Sequence, residues 1–190
     1  MKQDGLYSWL IRTLDFGNAD NLSSRYQHER GNSHNIGPFL NFAAEICSKI
    51  QTSQARNLMC DIHHTLAAVA NESNDRVSCE EHSRKNLELR RQAVAEGEPP
   101  NLHLGIAYNQ RGIGLMMNHQ YYEAEDHFKE GIRICESLPN FWKGMISFTV
   151  ANLGLSYWLQ GDFEKAYETL SQGLRDREGL FGIDDTESVR

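Results

Sequence analysis

The stretch "ANLGLSYWLQGDFEKAYETL", residues 151–170, decides the fold of this chain. A segment of small and apolar residues with helical spacing is followed by a Gly-Asp turn and then by a second amphipathic segment. This order predicts a helical hairpin. One hairpin cannot bury all of its apolar side chains, so hairpins of this kind stack in arrays.

A second hairpin repeats the same spacing. Residues 108–132, "YNQRGIGLMMNHQYYEAEDHFKEGI", align without a gap with residues 150–174, at an offset of 42 residues. Gly112 then pairs with Gly154, and Ala124 pairs with Ala166. Glycine inside a helix costs up to about 1 kcal/mol relative to alanine, so we expect a neighbouring helix to approach closely there, with small residues facing each other. Bulky residues are expected to fill the core around that contact: Leu153, Tyr157, Phe163, Leu170 and Leu174.

A weaker third copy precedes these two. Residues 63–87 align with residues 108–132 at an offset of 45, which pairs Ala67 with Gly112 and Asn74 with His119. Breakers and periodicity predict helices over 38–50, 53–71, 77–96, 101–118, 121–137, 140–160 and 163–179. The hairpins would span about 53–96, 101–137 and 140–179, within one repeat domain over 38–190, and residues 184–190 would begin a further repeat. Residues 1–37 are expected to form an N-terminal extension, with a short helix over 6–14 and a loop over 31–38.

Charge and composition exclude several classes of partner. The chain has 19 Lys and Arg against 26 Asp and Glu, a net charge of −7, which argues against binding to nucleic acid. The four cysteines are scattered, so we expect reduced thiols rather than a disulfide framework. With no signal-peptide pattern and no apolar run of membrane-spanning length, the sequence predicts a cytoplasmic protein that does not enter a membrane.

The repeats resemble tetratricopeptide repeats (TPR). The resemblance is carried by "LGLSY" (153–157) with Ala166 and Leu170, and by Gly112, Ala124 and Phe128 in the copy before it. The 42-residue period is similar to the longer repeats of the kinesin light chain type. More narrowly, "IAYNQRGIGLMMN", "LGLSYWLQGDFEKA" and "DREGLFGIDDTES" resemble multi-repeat TPR proteins found in fungi. The resemblance implies an all-α fold of antiparallel helical hairpins stacked as a right-handed superhelix, an α-solenoid.

The resemblance also implies where a partner would bind. In a TPR array the first helix of each hairpin lines a concave surface, which gives six candidate partner-binding residues: Asn109, Ile113, Met116, Asn152, Leu155 and Trp158. Asn152 matches the asparagine with which kinesin-light-chain-like repeats hold a bound backbone, although it could equally link neighbouring helices. Trp158 and Met116 favour an apolar or amphipathic partner, with packing between repeats as the alternative.

Metal and catalytic chemistry are disfavoured. The pairs Cys60/His63 and Cys79/His82 have the spacing of zinc ligands. However, Cys60 is expected about 15 Å along its helix from the turn, whereas Cys79 lies beside the turn, so the four could not share one ion. No catalytic motif is present. The sequence therefore predicts no metal and no cofactor.

The favoured function is a non-catalytic module for protein–protein interaction or scaffolding that binds a partner peptide or helix in a concave groove. Two alternatives stay open. The stop at Arg190, where another repeat begins, suggests an open C-terminal edge through which the chain could form a homo-oligomer. A small-molecule-binding or enzymatic role for the groove is the other alternative, because fold alone never excludes chemistry.

Overall fold

The structure is a computed structural model that describes residues 33–50, 52–139 and 143–181. This part of the chain is all-helical, without strands, which confirms the predicted class. Its helices are α1 (Ser33–Ser48), α2 (Ser53–Glu72), α3 (Arg76–Ala95), α4 (Leu102–Met117), α5 (Tyr121–Ser137), α6 (Lys143–Gln160) and α7 (Phe163–Phe181). The short helix predicted over 6–14 and the repeat start predicted over 184–190 lie outside the described residues.

Helix α1 begins earlier than the sequence predicted. It starts at Ser33 and runs through Pro38, so the loop predicted over 31–38 is wrong from residue 33 onward. Proline within a helix removes one backbone hydrogen bond. Leu40, Ala43 and Cys47 follow it at helical spacing and are each at most 2% exposed, so the packing of this face against α2 outweighs the local breaker.

The turn within each hairpin has the same backbone geometry. In each turn one residue has a left-handed φ. The backbone amide of the residue after it donates a hydrogen bond to the carbonyl five positions before that amide, as in a Schellman motif. The left-handed residues are Asn74 (φ 56°), His119 (φ 63°) and Gly161 (φ 83°). The hydrogen bonds run from the amide of Asp75 to the carbonyl of Ala70 (2.8 Å), from Gln120 to Leu115 (3.0 Å) and from Asp162 to Tyr157 (3.0 Å). The two sequence offsets therefore align the same turn three times.

The chain divides into two units, residues 1–89 and residues 90–190. In the first, α1 packs on α2 around a core of Leu40, Ala43, Cys47, Leu58, Ile62 and Leu66. In the second, α4 packs on α5, α5 on α6 and α6 on α7. Its core consists of Leu115, Ala124, Phe128, Leu153, Tyr157 and Ala166.

The helical glycines lie where helices approach each other closely, as predicted. A Cβ at Gly112 would overlap the ring of Phe128, and one at Gly154 would lie 2.5 Å from Cγ of Leu170. The expectation that small residues face each other is wrong at both positions, because the antiparallel register brings a bulky side chain onto each glycine. Small residues do meet at Gly105 and Gly131, where a Cβ on Gly131 would be 3.1 Å from the Gly105 carbonyl oxygen.

The predicted core residues of the last hairpin separate into two groups. Leu153 and Tyr157 are buried, at 7% and 6% exposure, as predicted. Phe163, Leu170 and Leu174 are 62%, 41% and 43% exposed, so their prediction as core residues is wrong. One face of α7 packs on α6, and its outer face is left to solvent.

Candidate functional site

The six predicted partner-binding residues lie on α4 and α6, two helices in contact within the second unit. Asn109 is only 4% exposed, and Nδ2 of Asn152 donates a hydrogen bond of 3.0 Å to its Oδ1. The two amides therefore link neighbouring first helices. The bond uses one of the two N–H groups of Asn152, and its carbonyl oxygen can still accept from a peptide N–H.

The apolar members of the set differ in exposure. Ile113 and Met116 of α4 are partly buried and pack against the core cluster around Phe128. Leu155 and Trp158 of α6 are 42% and 55% exposed. We call the six residues the first-helix surface. Its apolar area open to a partner is supplied mainly by Leu155 and Trp158.

The α5–α6 interface that supports this surface is joined by polar contacts. Ser156 Oγ donates to the Tyr121 carbonyl (3.0 Å), while Tyr157 Oη and Gln160 Nε2 each donate to the Glu125 carboxylate at 3.2 Å. Burial opposes ionisation of Glu125, but hydrogen bonds from Lys129 and Gln160 outweigh it, and the pKa of this carboxyl is lowered. By accepting from two side chains of α6, the ionised Glu125 holds one face of α6 against α5.

A further apolar surface, which sequence reasoning missed, shares Leu155 and Trp158 with the first-helix surface. We call it the edge surface, and its exposed side chains come from α6 and α7: Phe148, Leu155, Trp158, Leu159, Phe163, Tyr167, Leu170 and Leu174. Tyr167, at 75% exposure, is the most exposed of them. The 42-residue alignment could have indicated this surface, because it places the α7 residues of the edge surface at positions equivalent to α5 residues that α6 covers.

A cavity of about 470 Å³ lies at the opposite end of the α6–α7 hairpin from its turn. Charges of both signs line it, from Glu136, Lys143, Arg175 and Asp176. Each of these four residues is solvent-exposed, and the balance of charge favours neither an anion nor a cation. The cavity consequently defines no class of ligand.

Two histidines meet in the first unit. His63 of α2 and His82 of α3 are stacked, with ring centroids 5.2 Å apart and Nδ1 atoms 3.2 Å apart. One ring must donate and the other accept, so the pair is neutral or carries a single charge at most. Burial, reinforced by the neighbouring His82, lowers the pKa of His63 to about 4, and burial also lowers that of His82. In the described part of the chain, no three His, Cys, Asp or Glu side chains are grouped so that they could hold a metal ion.

The chain matches no protein-family model, and no curated protein is significantly similar to it. None of the helices described above is both long enough and apolar enough to cross a membrane.

Proposed function

We propose that this chain is a TPR-like module, a right-handed superhelix of hairpins, that acts in the cytoplasm without catalysis. It holds a partner peptide or helix against the first-helix surface and thereby serves as a scaffold or adaptor. The fold supports this proposal through the repeated turn and the helix-by-helix packing of the second unit.

The observation that carries the proposal is the exposure of Leu155 and Trp158 on the helix whose Asn152 reaches Asn109. Tryptophan is enriched among the residues that dominate binding energy in protein interfaces. A fixed amide beside exposed apolar groups suits a peptide, because it can pair with the backbone while the apolar groups receive a side chain.

Selection of a displayed peptide library on the full chain, followed by fluorescence anisotropy with the selected peptides, tests this function. We expect Leu155→Ser together with Trp158→Ser to weaken binding at least tenfold, since loss of a central tryptophan costs about 2 kcal/mol or more. Both side chains are exposed, so the helical circular dichroism signal should not change.

Tyr122→Ser is the matched control. Tyr122 is a large side chain of α5 that is 74% exposed and lies outside the first-helix surface. This variant should bind like the unmodified chain. Equal affinity for the double variant and the control would refute the site.

A further inference from the structure

A continuous apolar stripe runs along α7, beside the face that packs on α6. Phe163, Tyr167, Leu170 and Leu174 follow one another at steps of four, three and four residues, which places them on one side of the helix. All four are at least 41% exposed. The exposed α6 residues Leu155 and Trp158 lie on the neighbouring helix, so α6 and α7 together present two apolar rows.

The same surface is covered one hairpin earlier. The 42-residue shift maps the α7 stripe onto α5, and there every equivalent is buried or partly buried: Tyr121, Glu125, Phe128 and Ile132. It maps Leu155 and Trp158 onto Ile113 and Met116, which are also partly buried. Helix α6 lies against both α5 and α4. A single helix is therefore what this type of surface already binds within the chain.

Two side-chain acceptors of the covered surface are missing from the exposed one. Glu125, which accepts from Tyr157 and Gln160, has Tyr167 at its equivalent position. Asn109, which accepts from Asn152, has the exposed Ala151 at its equivalent. A helix with polar groups where α6 has them would find neither the carboxylate nor the amide oxygen that accepts from α6. The edge surface consequently fits a helix that is apolar at those points.

The exposed area is large enough for specific binding. The aromatic side chains Phe148, Trp158, Phe163 and Tyr167 are 50–75% exposed. At about 200 Å² each, they leave roughly 500 Å² of largely apolar area in solvent. One partner in a stable protein interface contributes about 800 Å², so these four side chains could supply more than half of that area.

We propose that the edge surface binds one amphipathic α-helix of a partner, seated on α6 and α7 as α6 is seated on α4 and α5. The bound helix is apolar at the positions that correspond to Asn152, Tyr157 and Gln160. This inference rests on the proposed function and names the kind of partner. It adds Phe163, Tyr167 and Leu174 as determinants that the first-helix surface does not contain.

Two synthetic helices test the proposal. One has the sequence of residues 143–160, and the other carries Asn152→Leu, Tyr157→Phe and Gln160→Leu within that sequence. Their affinities for the full chain are measured by fluorescence anisotropy. We expect the apolar peptide to bind at least tenfold more tightly, because the native peptide would bury polar groups that lack the carboxylate and amide acceptors of the covered surface.

Grafting the acceptors of the covered surface onto the edge surface should reverse this preference. The chain variant Ala151→Asn with Tyr167→Glu restores both acceptors at exposed positions, so it should favour the native peptide by a similar factor. Tyr122→Ser again serves as the control and should retain the preference of the unmodified chain. A melting curve for each variant separates lost binding from lost folding.

Three results would overturn the proposal. The first is equal affinity of the chain for both peptides. The second is unchanged binding of the apolar peptide to Phe163→Ser with Leu174→Ser, while Leu155→Ser with Trp158→Ser abolishes it; the proposed function would then stand without a contribution from α7. The third is a dimer in analytical ultracentrifugation that Phe163→Ser dissociates, since a second copy would then be the occupant.

Discussion

Replacing Gly112 by alanine tests the close approach on which the α4–α5 hairpin depends. A methyl group there would overlap Cε1 of Phe128 and lie 2.7 and 2.8 Å from its Cδ1 and Cζ atoms. The ring is completely buried, so it cannot swing away into solvent. Overpacking of this kind costs about 1–3 kcal/mol, whereas the better helix propensity of alanine returns up to about 1 kcal/mol. We therefore expect Gly112→Ala to lower the free energy of unfolding by about 1 kcal/mol.

Two further glycines provide graded comparisons. A methyl at Gly154 would meet Leu170, which is 41% exposed and free to rotate outward, so Gly154→Ala should be close to neutral. No atom lies within 4 Å of a methyl at Gly179 of α7, so Gly179→Ala should gain up to about 1 kcal/mol. Urea titrations followed by circular dichroism at 222 nm give all three values. A gain for Gly112→Ala equal to that of Gly179→Ala would refute the close approach.

Three other outcomes follow from buried groups. As pH falls from about 6.5 to about 4, the free energy of unfolding should decrease. In the unfolded chain His63 takes up a proton near pH 6.5, whereas burial lowers its pKa to about 4 in the folded chain. Urea titrations at successive pH values should show a weaker pH dependence of this free energy for His63→Gln. Burial raises the pKa of the Cys135 thiol and all four cysteines are buried, so Ellman's reagent should modify them only as the chain unfolds, and immediate reaction of the folded chain would contradict this burial. Asn152→Ala removes the donor to buried Asn109 and should cost about 1–3 kcal/mol in thermal or urea unfolding, whereas exposed Leu155→Ala should change stability by about 0.5 kcal/mol or less.

The sequence predicted those features of the fold that arise within a hairpin. The sequence placed a turn around each of the aligned residues Asn74, His119 and Gly161, and in the structure each of the three has a left-handed φ. The paired glycines at 112 and 154 likewise marked real points of close approach. These features depend on residues a few positions apart along the chain or directly across one hairpin, so a single sequence contains them.

Features that depend on a neighbouring element could not be predicted in the same way. The extension of α1 through Pro38 follows from its packing on α2. Leu170 matches the buried Phe128 in pattern but is 41% exposed, because burial depends on what lies against the outer face of α7. The pairing of Asn152 with Asn109 was one of two alternatives, since an amide at that position can serve either a neighbouring helix or a ligand.

The positions at which the two hairpins differ are as informative as those they share. Gly112 and Ala124 recur at the second hairpin, and both act inside a hairpin. By contrast, Glu125 and Asn109, which bond to the following helix, are replaced by Tyr167 and Ala151. Helix α6 donates to Glu125 and Asn109. A helix with the same polar groups would lack these hydrogen bonds if it packed on the last hairpin. The repeat therefore specifies how each hairpin closes, and the substitutions between repeats remove from the last hairpin the side-chain acceptors that bind α6 in the hairpin before it.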